Sequence, residues 1–196
     1  MAVSKSLIVE ASIRILNRDG IEGLSMRTIA KELGIKAASL YNHIGGRQEL
    51  YGEIAEAMCL RYRMPEVGLA PQDYLINSYQ AYRSMLKTVR DSVAIHENSI
   101  PNTPRRVEII QGILVKLMEF GVVTENLLTI SNMLNNYTLS FTADELRYGN
   151  AQPEVRSALA AMPGPGGKPI FTGEIDFDRQ FSNGLEVLFA GIQAYR

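Results

Sequence analysis

The chain has 196 residues, 46% hydrophobic and 21% charged, with a formal net charge of −1 and one cysteine, Cys59. This is globular composition, long enough for a real core. It excludes an intramolecular disulfide and argues against a general nucleic-acid coat. No run approaches the roughly 20 apolar residues of a membrane span. The start, MAVSKSLIVEAS, does not read as a signal peptide. A cytoplasmic protein of one domain, or two closely joined ones, with no membrane partner is therefore expected. Residues 1–63 carry nine basic against seven acidic side chains, net +2, and residues 64–196 carry eleven against fourteen, net −3. The sign suits an N-terminal part that meets an anionic polymer.

Residues 4–19 read as a helix. Leu7, Ala11 and Ile15 recur every four residues, with Ile8 and Leu16 beside them. Ser12 interrupts the second row, Ser4 is the N-cap and Gly20 the stop, and Arg14 and Arg18 lie outward. The next stretch, LSMRTIAKELGIKAASLYNHIGGRQELY at 24–51, holds two short helical patterns joined by a tight turn. In the first, Ser25 is placed to cap, Ile29, Ala30 and Leu33 form the stripe, and Gly34 ends it. The second runs from about Lys36 to His43 with Leu40 inward. A helix, a glycine turn and a second helix make a helix-turn-helix. Ala37, Ala38, Ser39, Asn42 and His43 point away from Leu40 and suit base edges in a major groove. Tyr41 offers a hydroxyl to a phosphate, and Arg27 and Arg47 flank the unit. Ser25 and Lys36, at the two helix starts, complete the candidate DNA-contacting set. The same pattern also fits a plain helical hairpin with a polar face.

Gly45-Gly46 breaks the chain, and a connecting helix follows over about 47–63, with Leu50, Ile54, Ala57 and Met58 as its stripe, extended by Leu60 and Tyr62. MPEVGLAPQ at 64–72 is the candidate boundary. Further helices are expected at about 72–89, within RDSVAIHENSIPNTP as one short helix followed by a loop, at 104–120 (stripe Val107, Ile110, Leu114, Leu117, Met118), at 125–148, at 153–162 and at 176–195. PGPGGKPIFTGE has three prolines and four glycines in twelve residues, and 163–173 reads as a surface loop. The fold class is all-α. Residues 1–46 are expected to form a reader domain, 47–63 a connecting helix and 64–196 a second helical domain.

The stretch at 24–51 resembles the DNA-binding domain of the tetracycline-repressor (TetR) family, through Ser25, Ile29, Ala30, Leu33, Gly34, Ile35, Ser39, Leu40, Tyr41, His43, Ile44 and Leu50. Arg47 stands where the family usually has lysine. R-D-S-V-A-I-H at 90–96 with Pro101, E-N-L-L at 125–128, Y-T-L at 137–139 and N-G-L-E at 183–186 resemble the tetracycline repressors themselves. The resemblance implies a bacterial transcriptional repressor that binds palindromic operator DNA as a homodimer and is released by a small organic effector. It also implies dimerisation through a four-helix bundle, two helices per chain, from about 125–148 and 176–195. Those helices read alone are also consistent with central core helices.

A cavity between the remaining helices would mix Tyr79, Tyr82, Met85, Leu86, Ile113, Leu117, Met133 and Tyr137 with a few polar groups. Complete filling by the same residues is the other reading, and it would leave a DNA-binding regulator with no ligand. By resemblance, His96 corresponds to a ligand of drug-bound magnesium, and Ser99 and Asp144 to the other two positions of that site. No cofactor is required, and magnesium carried with the ligand is the one metal the resemblance raises. Arg63 and Ser78 stand where those repressors carry a drug-gripping histidine and asparagine. An enzyme is not expected: there is no G-x-S-x-G, H-E-x-x-H, phosphate-binding glycine loop or Cys–His pair.

Overall fold

Ser4 Oγ accepts a hydrogen bond from Leu7 N at 3.2 Å, and α1 (Lys5–Asp19) starts there and runs to Gly20. The computed structural model describes residues 3–66, 68–168 and 175–194. Those residues form ten α-helices with three short 3₁₀ turns and no strand, in accord with the all-α expectation. Parts of the expected boundary at 64–72 and loop at 163–173, and Tyr195 in the expected last helix, lie outside the described residues.

α2 (Met26–Leu33) is held at both ends by its own sequence. Ser25 Oγ accepts from Thr28 N at 3.1 Å, and Thr28 Oγ1 accepts from Ser25 N at 2.9 Å. At the other end Gly34 takes a left-handed φ of 67°, so that Ile35 N can donate back to Ala30 O at 3.0 Å. α3 (Ala37–Leu40) is shorter than the expected 36–43. Lys36 supplies no side-chain cap, and the chain continues as a turn in which His43 N and Ile44 N both donate to Leu40 O at 2.9 Å. α4 (Arg47–Cys59) likewise stops short of residue 63, and Leu60 is exposed rather than part of its stripe. The Gly45-Gly46 turn before it is closed by Glu49, which accepts from Gly45 N at 2.6 Å and pairs with Lys5.

The remaining helices are α5 (Pro71–Leu86), α6 (Ser92–Glu97), α7 (Pro104–Glu119), α8 (Leu127–Gly149), α9 (Pro153–Ala160) and α10 (Phe177–Ala194). Proline opens α5, α7 and α9, where its missing N–H costs nothing. α7 is rotated from the expected stripe. Arg106, Ile113 and Leu117 are its buried residues, while Met118 is exposed.

Two buried clusters hold these helices. One joins Ile8, Ile15, Leu40 and Ile54 to Leu86 and Ile95, so it runs from the helix-turn-helix through α4 into α5 and α6 without a break at residue 46 or 63. The other packs α5, α7, α8 and α10 through Leu75, Leu117, Leu134, Phe181, Leu185 and Phe189. Leu128 and Met133 on α8 and Val187 on α10 remain exposed.

α8 and α10 meet at a close approach that needs glycine. A Cβ at position 184 would lie 1.9 Å from Tyr137 Oη and 2.5 Å from Cζ. That ring cannot swing away freely. It stacks on Phe181 at 5.3 Å, and its hydroxyl donates to Phe181 O at 3.0 Å. Gly184→Ala is expected to lower stability by about 1–3 kcal/mol, the usual range for overpacking. Urea denaturation checks this, and an unchanged midpoint would mean that the two helices sit apart at this point.

Candidate DNA interface and effector cavity

The outer surface of the helix-turn-helix carries the candidate DNA-contacting residues. Arg27, Lys36, Ala38, Tyr41, Asn42 and Arg47 are exposed, and Ala37, Ser39 and His43 are half-buried. Ser25 is exposed but its hydroxyl is engaged in the α2 cap. Leu40 is the single buried residue of α3, and Ala37, expected on the outer face, packs part-buried against the same core. Arg47 is steadied by Tyr51, whose hydroxyl accepts from Nε at 2.8 Å and whose ring lies 5.3 Å from the guanidinium. Arg14 and Arg18 both reach Glu32 on α2, at 3.5 and 3.2 Å, and so brace the unit from behind.

The second site is a cavity of about 610 Å³ between α5, α6, α7, α8 and the end of α4. That is within the range of drug-sized ligand sites. Ser78, Tyr79, Tyr82, His96, Ser99 and Ile113 are in its wall, and the other expected ligand contacts are not. Met85 and Leu86 pack into the first core cluster, and Leu117 into the second. Arg63 is exposed after α4 ends, Met133 is exposed on α8, and Tyr137 faces α10. Other wall residues were not legible as such. Asn132, Asn135 and Asn136 form a polar stripe on α8 together with Ser131 and Ser140, visible in sequence as polar residues at helical spacing in an otherwise apolar helix. Arg106 lies seven residues before Ile113, on the same row of α7.

Burial governs the chemistry of this wall. His96 Nδ1 lies 2.9 Å from Ser92 O and so carries the proton, and Nε2 has no partner. Burial pushes the imidazole down to about 4, against the hydrogen bond to Ser92, which raises it. The ring is therefore neutral at pH 7 and presents a hydrogen-bond acceptor. Burial also pushes the Cys59 thiol up to about 11 and the Tyr62 phenol up to about 12. Tyr82 stands edge-on to His96 at 5.8 Å.

The magnesium set does not assemble. Asp144 is exposed on α8, pairs with Arg147 and is absent from the cavity wall. Ser99 Oγ accepts from Arg106 Nη1 at 2.9 Å, which places a guanidinium where a divalent ion would need anionic oxygens. Among the described residues no group of three His, Cys, Asp or Glu side chains is close enough to hold a metal. One neutral imidazole beside an arginine does not fit a magnesium ion.

A helix-turn-helix sharing its core with a helical unit that encloses a ligand-sized cavity defines a transcriptional regulator with a DNA-binding and a ligand-binding part. Family comparison agrees: "Bacterial regulatory proteins, tetR family" matches residues 8–54, and "Tetracyclin repressor-like, C-terminal domain" matches residues 68–196. The chain belongs to the TetR family of transcriptional regulators. It is 24% identical to the class D tetracycline repressor of Escherichia coli over 97% of this chain and 89% of that protein. The Streptomyces coelicolor regulator ActR in complex with actinorhodin superposes with a TM-score of 0.85 at 24% identity, covering 99% and 98% of the two chains. A BioQ protein with its double-stranded DNA operator superposes with a TM-score of 0.77 at 25% identity, covering 98% and 99%. Among the described residues no helix is long and apolar enough to cross a membrane.

Proposed function

We propose that this protein is a cytoplasmic repressor that binds palindromic operator DNA as a homodimer and releases it when a small organic effector enters the cavity. Residues 1–46 read the DNA, 47–63 connect, and 64–196 bind effector and dimerise. The exposed apolar residues of α8 and α10 support the dimer, and the BioQ–operator and ActR–actinorhodin complexes support the two partners. Catalysis has no place in this reading.

The observation that carries it is a set of polar ties between the reader and the cavity helices. Asp91, at the start of α6, takes a left-handed φ of 58° and accepts from Ile21 N, in the turn after α1, at 2.7 Å. Next to it, Arg90 N donates to Asn17 Oδ1 at 3.0 Å, and Arg90 Nη1 to Arg18 O at 3.2 Å. On the other side Glu56 of α4 accepts from the amides of Arg105 and Arg106 at 2.8 and 3.3 Å, in the first turn of α7. A ligand that moves α6 or α7 must therefore move α1 or α4. Two dimer geometries with different spacings between recognition helices would then differ in operator affinity.

Selection of operators from random duplexes by the full chain tests the reading, followed by binding and stoichiometry measurements on the selected site. An inverted repeat bound by two chains is expected. A site without two-fold symmetry, or one bound by a single chain, would overturn it. Asp91→Gly keeps the left-handed backbone but deletes the carboxylate. It is expected to weaken operator binding by about 2- to 30-fold, the range of a coupling contact worth about 0.5–2 kcal/mol. An unchanged affinity would remove this tie from the mechanism.

A further inference from the structure

We propose that the cavity selects an organic anion, an apolar body bearing a carboxylate that pairs with Arg106. This rests on the effector reading above and gives the effector a chemistry. Arg106 is in the cavity wall on the first turn of α7, with 7% of its surface exposed. Its Nη1 donates to Ser99 Oγ at 2.9 Å and to Ile100 O at 3.1 Å. Among the described residues the other guanidinium N–H groups have no protein acceptor, and no carboxylate forms an ion pair with it. Among the described residues Glu56 is the one carboxylate whose field acts on it, and that carboxylate is engaged by the α7 amides. Glu97, among the described residues the one acid in the cavity wall, is exposed.

A guanidinium taken out of water without a counter-ion is costly, and here burial works against its charge. A protein that keeps such a charge at the edge of an empty volume leaves the counter-ion to the ligand. The planar fork of arginine matches a carboxylate with two parallel hydrogen bonds. The rest of the wall sets the body of that ligand. Tyr62, Tyr79, Tyr82 and Ile113 supply apolar and aromatic surface, and the α8 amides supply donors and acceptors. The free Nε2 of His96 accepts a hydrogen bond from a hydroxyl on the ligand. A cationic ligand, by contrast, would meet a buried positive charge.

The test uses the full chain and N-phenyl-1-naphthylamine, a neutral dye whose fluorescence rises in an apolar cavity, displaced by 2-naphthoate or by its neutral counterpart 2-naphthamide. The acid is expected to displace the dye at a concentration at least about tenfold lower than the amide, the size of one good charged pair. Arg106→Gln is expected to abolish that preference while leaving dye and amide affinity within about twofold, and Arg106→Lys to keep much of it. Equal displacement by acid and amide in the wild type, or a preference that survives in R106Q, overturns the proposal. If R106Q does not fold, the wild-type ratio decides alone, and a ratio below about threefold overturns the proposal. Dye entry without an acid preference sinks this inference and leaves the effector reading standing. A dye that does not enter at all sinks both.

Discussion

Glu145→Ala is expected to lower stability by about 3–5 kcal/mol, because it strips the counter-ion from a buried arginine. Arg83 has 7% of its side chain exposed and Glu145 13%. They form a two-pronged pair, Nε to Oε2 at 2.7 Å and Nη2 to Oε1 at 2.8 Å, and Lys87 adds a third contact at 2.7 Å. The rings of Phe141 and Phe181 flank the guanidinium at 5.5 and 5.1 Å. Without Glu145 the charge keeps one acid, Asp178, whose carboxylate is 86% exposed and well hydrated. Asp178→Ala should therefore cost no more than about 1 kcal/mol. Urea denaturation of the two variants checks the contrast, and equal losses would refute it. The pair also has a pH signature. Burial would raise the Glu145 carboxyl, but the hydrogen bonds from Arg83 and Lys87 outweigh it and leave the pKa below its ordinary value. A depressed folded-state pKa contributes stability that is full above the ordinary carboxylate range and is lost as pH falls through the folded value. The gap between wild type and Glu145→Ala should therefore narrow on acidification, and a constant gap would contradict the assignment.

Leu40→Ala is expected to cost about 2–5 kcal/mol and to reduce operator affinity at least about tenfold even at temperatures where the chain stays folded. α3 is one turn long and Leu40, fully buried, is its main anchor, with Ala37 part-buried against the same core. The neighbouring anchor, Ile44, lies beyond the helix itself. A cavity beneath α3 would free it to tilt, and the outward residues Ala38, Tyr41 and Asn42 would lose their register against the groove. Tyr41→Phe is the control: the side chain is 56% exposed, so the change should leave stability within about 0.5 kcal/mol and affect only a phosphate contact. Circular dichroism and fluorescence anisotropy with the selected operator separate the two effects. A Leu40→Ala variant that is destabilised yet binds normally would show that α3 is oriented by something else.

Helix order is legible in this chain because the stops are explicit: Ser4 and Gly20 bracket α1, Ser25 and Gly34 bracket α2, and prolines open three later helices. Rotation and length are less legible. On α7 the apolar residues Val107, Ile110, Leu114, Leu117 and Met118 make the expected stripe, and nothing in the pattern singles out Arg106. The fold turns Arg106 inward because Ile113 and Leu117 share its row. α3 is short because its length depends on Leu40 finding the core, which is a tertiary event. The cavity wall draws on five helices, so sequence periodicity shows which residues face inward but not which meet an empty space. Tyr137 has the composition of a pocket residue and spends it on α10 instead. Asp144 falls at a metal position by resemblance alone, and its carboxylate pairs with Arg147 one turn on in its own helix.

The start of α7 has a bearing on modularity. Thr103 occupies the capping position there, but its hydroxyl makes no cap, and the carboxylate that serves the first amides belongs to Glu56, some fifty residues earlier. The helix that walls the cavity thus borrows its terminus from the helix that follows the reader. Neither half is a self-sufficient cassette. A hybrid regulator made by grafting another reader onto this cavity would have to retain α4 or import a relative whose own α4 carries an acid at the same place. Evolution of new operator specificities in this chain is correspondingly channelled into the exposed surface ahead of Gly45, upstream of the shared joint.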